Sequence, residues 1–406
     1  MGLGKTYTGA EKMMSLGGRV NLVICQKSKI DDWVKHFREH YPFNPMRIPA
    51  TIVYDLTEKM SFDKFIAYSN GFDEMCRMIG VINYDLIFRR PELMKLHFDT
   101  VMLDESSIIQ NRTSKRSKAI LNLKTENVIL LSGTPTGGKY ERLWSQLHLL
   151  GWNISEDLFF KQYVIFHYDD NNGFPLRIID GYKNVDRLKS KLREHGAHFL
   201  KTEDVFDLPD QIHQTVRIPT TTHYRKFKKS RIVTVEGVEL VGDTTLTKML
   251  YERQLCGSYN PEKLNAFRDL LESTEDRLIV FYNFNDERKK ITDLCEELGR
   301  PVSVVAGDLK DLSAYEEHED SVTLIQYQAG SMGLNLQKAN KIVYFTPPLS
   351  SELFEQSKKR THRIGQDRTC FYYYLTCAGS IEEKIYRTLE LRKDYTDRLF
   401  EEEETK

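Results

Sequence analysis

The first six residues of the chain, MGLGKT, have the residue types of the second half of a phosphate-binding loop, or P-loop. Gly2, Leu3 and Gly4 form the loop, whose glycines let backbone N–H groups close on phosphate oxygens. Lys5 would reach the β and γ phosphates, and the hydroxyl of Thr6 would ligate Mg²⁺. A helix that begins here adds the positive end of its dipole. The sequence therefore predicts a binding site for ATP and Mg²⁺ at these residues.

Two acidic residues follow an apolar stretch in TVMLDESS, residues 100–107. Asp104 can hold Mg²⁺ directly or through water, and Glu105 can then orient and deprotonate an attacking water. An exposed acidic end is also a common feature of ordinary strands. Because Gly-Lys-Thr stands upstream, we expect the pair to be catalytic.

A basic segment near the end of the chain, QSKKRTHRIGQ, spans Gln356–Gln366. Arg360 and Arg363 are three residues apart, so on a helix they would share one face. Two guanidinium groups on one face suit a phosphoryl group whose charge is being redistributed, as in arginine fingers. The alternative is a solvated basic helix, which is the usual meaning of a run of cations.

The elements that must position these residues alternate between helix and strand. Five apolar segments of the first part predict strands: 20–25, 50–54, 80–84, 100–107 and 127–135. Four more follow in the last part, within 276–284, 301–307, 321–330 and 340–347. Each set predicts a doubly wound parallel sheet with its functional residues at the carboxyl ends of the strands. Ser132-Gly133-Thr134-Pro135 lies at such an end, although a plain turn would also use these residues.

Residues 155–261 have a looser pattern, with a helical stretch at 184–195 and a basic one at 223–231. We therefore predict an α/β protein of three segments: a first lobe at 1–154, a linker and helical insertion at 155–261, and a second lobe at 262–406. At 406 residues the chain is long enough for two or three domains.

Composition narrows the possible functions. No apolar run approaches the roughly 20 residues of a membrane span and no signal peptide is recognisable, so we expect a cytoplasmic protein. Six cysteines without a CxxC pair argue against zinc and against a disulfide framework. The net charge of −1 gives no overall attraction to nucleic acid, so any such binding must use local patches.

The N-terminal loop is shorter than the full pattern, which has another small residue five positions before Gly4 and a strand ahead of it. Only three residues precede Gly4. We therefore expect either a start further upstream or a fragment. For the chain as written we expect a folded protein that binds ATP weakly and hydrolyses little of it.

Seven segments occur in the order found in superfamily-two helicases: MGLGKT, INYDLI, DESS, LSGTPTGGKYERLW, LIVFYNF, QAGSMGLNLQKAN and QSKKRTHRIGQ. The pairing of GLNL with QxxxRxHRIGQ resembles the Swi/Snf-type branch, the double-stranded DNA translocases. The compact form with DESS looks like the versions found in bacteriophage genomes. The resemblance covers essentially the whole chain. It implies two RecA-like lobes, ATP in the cleft between them, and DNA across the outer faces of both.

The resemblance also implies roles for individual residues. Gly2, Gly4, Lys5 and Thr6 match the first motif, Asp104 and Glu105 the second, and Gln356, Arg360 and Arg363 the sixth, which holds the arginine fingers. Coupling and DNA-facing roles fall on Gln26, Lys27, Ser28, Ser132, Gly133, Thr134, Gly330, Gly333 and Asn335. The chain departs from the family at Ser107, where many relatives carry histidine, at residues 199–205, which lack an Arg-Arg pair, and at Asn340.

The sequence predicts an ATP-dependent motor that moves along or remodels double-stranded DNA without sequence preference. The main alternative is a truncated or degenerate paralogue that binds DNA or a protein partner without turnover. A nuclease or methyltransferase with an ATPase appendage lacks a catalytic constellation here. An RNA helicase is disfavoured because QxxxRxHRIGQ is not the usual sixth motif of that branch.

Overall fold

The computed structural model describes residues 4–42, 50–71, 76–133, 135–169, 176–200, 206–307, 309–330 and 334–400. The chain divides into two compact units, whose main parts are Leu3–Leu200 and Lys201–Asp394. We call them the N-terminal unit and the C-terminal unit.

The N-terminal unit is built on a five-stranded, fully parallel sheet in the order β2-β3-β1-β4-β5. Its strands are β1 (Val20–Cys25), β2 (Ala50–Asp55), β3 (Cys76–Asn83), β4 (His97–Asp104) and β5 (Lys124–Leu131). The helices are α1 (Lys5–Ser15), α2 (Ile30–His40), α3 (Lys59–Ser69), α4 (Tyr84–Ile87), α5 (Lys115–Leu121), α6 (Trp144–Leu149), α7 (Glu156–Tyr163) and α8 (Val185–Glu194). Short 3₁₀ helices cover Lys27–Lys29, Pro91–Lys95, Ser106–Ile109 and Tyr140–Leu143. An antiparallel hairpin, β6 (Val164–Asp169) and β7 (Leu176–Tyr182), completes the unit.

The central strand β1 indicates that the sheet is covered on both faces. All six of its residues, VNLVIC, are buried, as expected of a strand covered on both faces. Helix α1 lies close against β4 and β5. Gly9 permits this approach because it has no side chain. A Cβ at Gly9 would stand 2.6 Å from Leu131 and 2.9 Å from the sulfur of Met102. This close packing brings the start of α1 toward the carboxyl ends of the strands.

The C-terminal unit contains a seven-stranded sheet in the order β13-β12-β14-β11-β15-β16-β8, in which only the pairing of β13 with β12 is antiparallel. Its strands are β8 (Gln211–Ile218), β11 (Leu278–Tyr282), β12 (Val302–Val305), β13 (Lys310–Asp311), β14 (Val322–Gln326), β15 (Lys341–Tyr344) and β16 (Cys370–Cys377). The hairpin β9 (Ile232–Val235) and β10 (Val238–Val241) stands apart from this sheet. The helices are α9 (Thr222–Ser230), α10 (Thr245–Cys256), α11 (Pro261–Glu272), α12 (Asn285–Glu297), α13 (Ser313–Glu317), α14 (Tyr327–Gly330), α15 (Ser351–Lys358) and α16 (Ile381–Phe400).

Two units with parallel sheets and helical crossovers confirm the predicted α/β class. Residues 155–261 hold β6–β10 as well as helices, and the compact units divide within this segment, after Leu200. The predicted lobe boundaries at 154 and 261 stay predictions. Among the described residues, no helix is both long and apolar enough to cross a membrane.

Candidate nucleotide-binding site

The predicted phosphate-binding loop leads directly into α1. Gly4 precedes the helix with φ 67° and ψ 27°, in the left-handed region that glycine adopts without strain. A Cβ at Gly4 would meet no atom of the described residues within 4 Å. The first N–H groups of an α-helix have no acceptor within the helix, so those at Lys5 and Thr6 can serve an anion. Gly2 and Leu3 lie outside the described residues.

Lys5 and Glu105, separated by 100 positions in the chain, meet at this helix start. The Lys5 ammonium donates to Glu105 Oε1 at 3.1 Å. The second carboxylate oxygen, Oε2, is buried and has no hydrogen-bond partner among the described residues. The structure thus brings together the predicted phosphate ligand and the predicted base, and it leaves one oxygen of the base available for a further donor.

Asp104 lies beside Glu105 at the end of β4. Its Oδ2 accepts a hydrogen bond from the indole Nε1 of Trp33 at 3.0 Å. Burial raises the pKa of Asp104, while the Trp33 hydrogen bond and the Lys5 charge act to lower it. Trp33 therefore supports the ionised form of a carboxylate that would otherwise tend to bind a proton.

The backbone of the acid pair is held in an unusual conformation. Glu105 has φ 57° and ψ 58°, a left-handed geometry that costs a non-glycine residue about 1–2 kcal/mol. The buried hydroxyl of Tyr84 donates to the Asp104 carbonyl at 2.9 Å and lies 3.4 Å from that of Glu105. Burial and the nearby acids raise the pKa of Tyr84 well above its usual range, so it remains a donor. Tyr84 fixes the turn that aims the two carboxylates.

The groups at this site fit a Mg²⁺–nucleotide. Lys5 and the N–H groups of the first turn of α1 suit phosphate oxygens, and the Thr6 hydroxyl and the Asp104 carboxylate supply the oxygen ligands that Mg²⁺ prefers. The buried Oε2 of Glu105, without a partner among the described residues, has the character of a proton acceptor for water.

The roles of Trp33 and Tyr84 were not predicted from the sequence, in which Tyr84 is noted only as part of the segment INYDLI. The position of Tyr84, directly after an apolar strand and at the same sheet edge as Asp104, was a usable signal. Trp33 carries no such signal, because it lies on α2 and reaches Asp104 only through the tertiary fold.

The predicted coupling residues of the N-terminal unit lie at the same edge of the sheet. Gln26 follows β1 and precedes the 3₁₀ helix Lys27–Lys29, on which Lys27 and Ser28 are exposed. Ser132 and Gly133 follow β5. Because β1, β4 and β5 are parallel, their carboxyl ends place these residues along the edge that holds Asp104. Thr134 lies outside the described residues.

In the C-terminal unit, Arg363 and Asn335 meet. The Arg363 guanidinium donates to Asn335 Oδ1, and burial lowers the pKa of Arg363. Arg360 is buried, and its carbonyl accepts from the N–H of Leu336 at 3.1 Å. Gln356 is buried on α15, and Gly330 ends α14. Gly333 lies outside the described residues.

The expectation that Arg360 and Arg363 share a helical face was wrong, because α15 ends at Lys358. Residues 359–366 instead fold as turns against the loop that precedes β15. The side-chain amide of Gln366 donates to the carbonyls of Gln337 at 3.1 Å and Ala339 at 2.8 Å, and Gly365 has φ 91°. These tertiary hydrogen bonds take the place of a further helical turn.

A parallel α/β unit with a helix-starting Gly-Lys-Thr beside a strand-ending Asp-Glu has the arrangement of a P-loop nucleotide-binding protein. Comparison with known families agrees. The model described as SNF2-related domain matches residues 1–260, and that described as helicase conserved C-terminal domain matches residues 262–365. The chain belongs to the SNF2-related family.

Individual relatives are distant. YwqA of Bacillus subtilis is 23% identical over 99% of this chain and 46% of its own length. The SWI/SNF-related matrix-associated actin-dependent regulator of chromatin subfamily A member 1 of Mus musculus is 22% identical, over 97% of this chain and 40% of its own. The DNA repair and recombination protein RAD26 of Saccharomyces cerevisiae is 25% identical, over 76% and 32%. The chain spans less than half the length of each of these relatives.

A solved structure, the Sulfolobus solfataricus SWI2/SNF2 ATPase core in complex with dsDNA, has a TM-score of 0.40 at 22% sequence identity. It covers 98% of this chain and 86% of the other. The bacteriophage-like short form suggested by the sequence is not tested by these comparisons and stays a prediction.

Proposed function

We propose that this protein is an ATP hydrolase that moves along or remodels double-stranded DNA. The observation that carries the proposal is the cluster of Lys5, Asp104 and Glu105. The Lys5 ammonium lies 3.1 Å from Glu105, and the other oxygen of Glu105 is buried without a partner among the described residues. A structural ion pair would be expected to satisfy both oxygens.

Each residue of the cluster has a distinct role in the proposed reaction. Lys5 exchanges Glu105 for the β and γ phosphates, which frees the carboxylate to orient water and accept its proton. Thr6 and Asp104 would hold Mg²⁺, which would neutralise the charge that develops on the phosphates. Tyr84 holds the backbone of the acid pair, and Trp33 orients the Asp104 carboxylate. In this proposal Arg360 and Arg363, assisted by Gln356, supply the positive charge for the transferring phosphoryl group.

Duplex DNA is the proposed track, bound through its phosphates and without sequence preference. The proposed contacts are the exposed Lys27 with Gln26 and Ser28, the residues Ser132, Gly133 and Thr134, and the backbone of residues 330–335. With a net charge of −1 the chain has no general attraction for DNA, so these few positions must provide it. The lobes proposed to move along the track are residues 1–154 and 262–406.

The test is the rate of ATP hydrolysis with duplex DNA, with RNA and without nucleic acid. We expect stimulation by duplex DNA. Glu105→Gln should abolish turnover while leaving ATP binding measurable by titration, because binding uses Lys5 and Mg²⁺ rather than the base. Glu126→Gln, at an exposed position on β5, is the matched control and should hydrolyse ATP as the unaltered protein does.

Equal rates under all three conditions would contradict the motor. DNA binding without hydrolysis would instead support the alternative, a DNA-binding paralogue that does not turn over ATP.

A further inference from the structure

A buried glutamine connects Ser106, the residue after the acid pair, to Pro135, the last residue of the turn that the sequence predicts at 132–135. Gln146 lies on α6 and is 5% exposed. Its Oε1 accepts from the hydroxyl of Ser106 at 2.9 Å, and its Nε2 donates to the carbonyl of Pro135 at 2.7 Å. Ser106 directly follows Glu105, and Pro135 ends the turn. One side chain thus spans two segments that both lie at the carboxyl edge of the sheet.

A second glutamine reinforces the same carbonyl. Gln110 follows the 3₁₀ helix Ser106–Ile109, and its Nε2 donates to the Pro135 carbonyl at 3.1 Å. Its own Oε1 accepts from Arg142 at 3.1 Å. The Pro135 carbonyl therefore accepts from two side-chain amides. One belongs to Gln110, close to the acid pair in the chain, and the other to Gln146 on α6. A carbonyl oxygen has two lone pairs, so these two donors occupy its hydrogen-bonding capacity.

Burial makes the hydrogen bonds of Gln146 costly to break. Ser106 is 1% exposed and the neighbouring Thr136 is fully buried, so water cannot easily replace a broken hydrogen bond. On the other side of the acid pair, Tyr84 holds the Asp104 carbonyl at 2.9 Å. The strained turn at Glu105 is thus fixed at one end by Tyr84 and at the other by Gln146. A displacement of Pro135 must either break a buried hydrogen bond or move Ser106.

We propose that Gln146 is a positioning residue that ties Pro135, and with it the turn predicted at 132–135, to the orientation of Glu105. The inference rests on the proposed function, since it makes this tie the route by which DNA at the turn alters hydrolysis. In this proposal Ser106 links the acid pair to the predicted turn. Gln146 touches none of the reacting groups and acts only through Ser106 and Pro135.

The first test needs no ligand. Amide hydrogen exchange at residues 136–139 is compared in the unaltered protein, Ser106→Ala, Gln146→Met and the double variant. If Gln146 carries the tie, Ser106→Ala speeds exchange in this segment, and in the Gln146→Met background it adds nothing. The deviation from additivity should be about twofold or more. An equal effect of Ser106→Ala in both backgrounds, or none in either, would overturn the inference.

The second test measures coupling. Gln146→Met should lower the ratio of DNA-stimulated to basal kcat by roughly tenfold, within the usual range of coupling between two sites, without weakening DNA binding. Gln162→Met on α7 is the matched control and should keep the full ratio. Gln146→Asn, which is polar but too short to reach both partners, replaces Gln146→Met if that variant does not fold. It should show the same loss.

Different results would contradict the proposed function and the proposed role of Gln146. If duplex DNA does not stimulate the unaltered protein, the proposed function fails, while the exchange experiment still decides whether Gln146 ties the turn to Ser106. If DNA does stimulate hydrolysis and Gln146→Met keeps the full ratio, the motor stands and the role of Gln146 is wrong.

Discussion

Glu287 shows how the C-terminal unit can hold a carboxyl group in an unusual protonation state. It is fully buried at the start of α12, where it accepts from the N–H groups of Asn283 at 2.9 Å and Phe284 at 3.2 Å. The Thr346 hydroxyl also donates to it at 3.0 Å. Burial outweighs these hydrogen bonds and raises the pKa of Glu287 to about 7.

This pKa predicts a pH dependence of stability. In the unfolded chain the carboxyl group ionises near its ordinary pKa of 4.5, whereas the folded protein keeps the proton to about 7. The folded state therefore binds the proton more tightly, and the free energy of unfolding falls as the pH rises from about 4.5 to about 7. The loss should be about 3 kcal/mol. Urea unfolding at pH 5 and pH 8 measures it.

Glu287→Gln should remove most of this difference, because the amide stays neutral at both pH values. Glu383→Gln, at an exposed position on α16, serves as the control and should leave the difference in place. The same loss of stability in Glu287→Gln as in the unaltered protein would show that another group titrates.

At the level of single residues, the sequence predicted what local spacing encodes. Gly4, Lys5, Asp104 and Glu105 could be assigned because each stands in a short pattern whose chemistry is specific. Trp33 and Gln146 could not, because Trp33 reaches Asp104 across 71 positions of the chain and Gln146 reaches Ser106 across 40. No local sequence pattern predicts a distant hydrogen-bond partner for an indole or an amide on a helix.

Among the elements, α11 and α16 are joined by a charge pair inside the C-terminal unit. Lys263 lies 2.6 and 2.7 Å from the two oxygens of Glu382 and donates to the carbonyl of Phe345 at 2.9 Å. Both side chains are fully buried. Glu382 also accepts from the N–H of Cys377 at 2.9 Å, which connects the pair to the end of β16.

Removing one partner should be costly. Lys263→Met leaves the Glu382 carboxylate buried without a cation, so we expect a loss of about 3–5 kcal/mol in the free energy of unfolding. The double variant Lys263→Met/Glu382→Leu should recover much of this, because no charge remains unpaired. Urea unfolding of the C-terminal unit, followed within the whole chain, gives the comparison.

The control is Arg268→Met, which removes the exposed pair between Arg268 and Glu297 and should shift the unfolding midpoint little. If Lys263→Met shifted the midpoint no more than Arg268→Met, the buried pair would not hold α11 and α16 together.

The predictability of the elements followed their burial only in part, because the largely buried strand β16 was not predicted. The apolar strands β1, β4, β11 and β14 were evident from composition. Strand β8 was missed because its side chains are mostly exposed and polar, and it joins the sheet as an edge strand through backbone pairing with β16. The helix expected at Arg360 was wrong for a related reason, since tertiary hydrogen bonds from Gln366 decide the backbone there.

For the whole molecule, the proposed reaction needs groups from both compact units. Lys5 and Glu105 belong to the N-terminal unit, and Arg360 and Arg363 to the C-terminal unit. If Arg363 supplies charge to the transferring phosphoryl group, Arg363→Ala should lower kcat by roughly 10³-fold or more, as is typical of arginine fingers. Nucleotide affinity should change far less, because Lys5 and the first turn of α1 provide most of the binding.

Arg368→Ala, a few residues along the same segment and partly exposed, should keep normal turnover. Normal turnover in Arg363→Ala would mean that Arg363 serves only to hold the loop around Asn335.

The most direct test of the whole account is movement on DNA. A duplex that carries a short third strand is incubated with the protein, and release of that strand is followed in the presence and absence of ATP. We predict release that requires ATP and Mg²⁺, does not depend on the sequence of the duplex between the site of binding and the third strand, and disappears in Glu105→Gln. Release without ATP, or none from a protein that hydrolyses ATP with duplex DNA, would contradict a translocating motor.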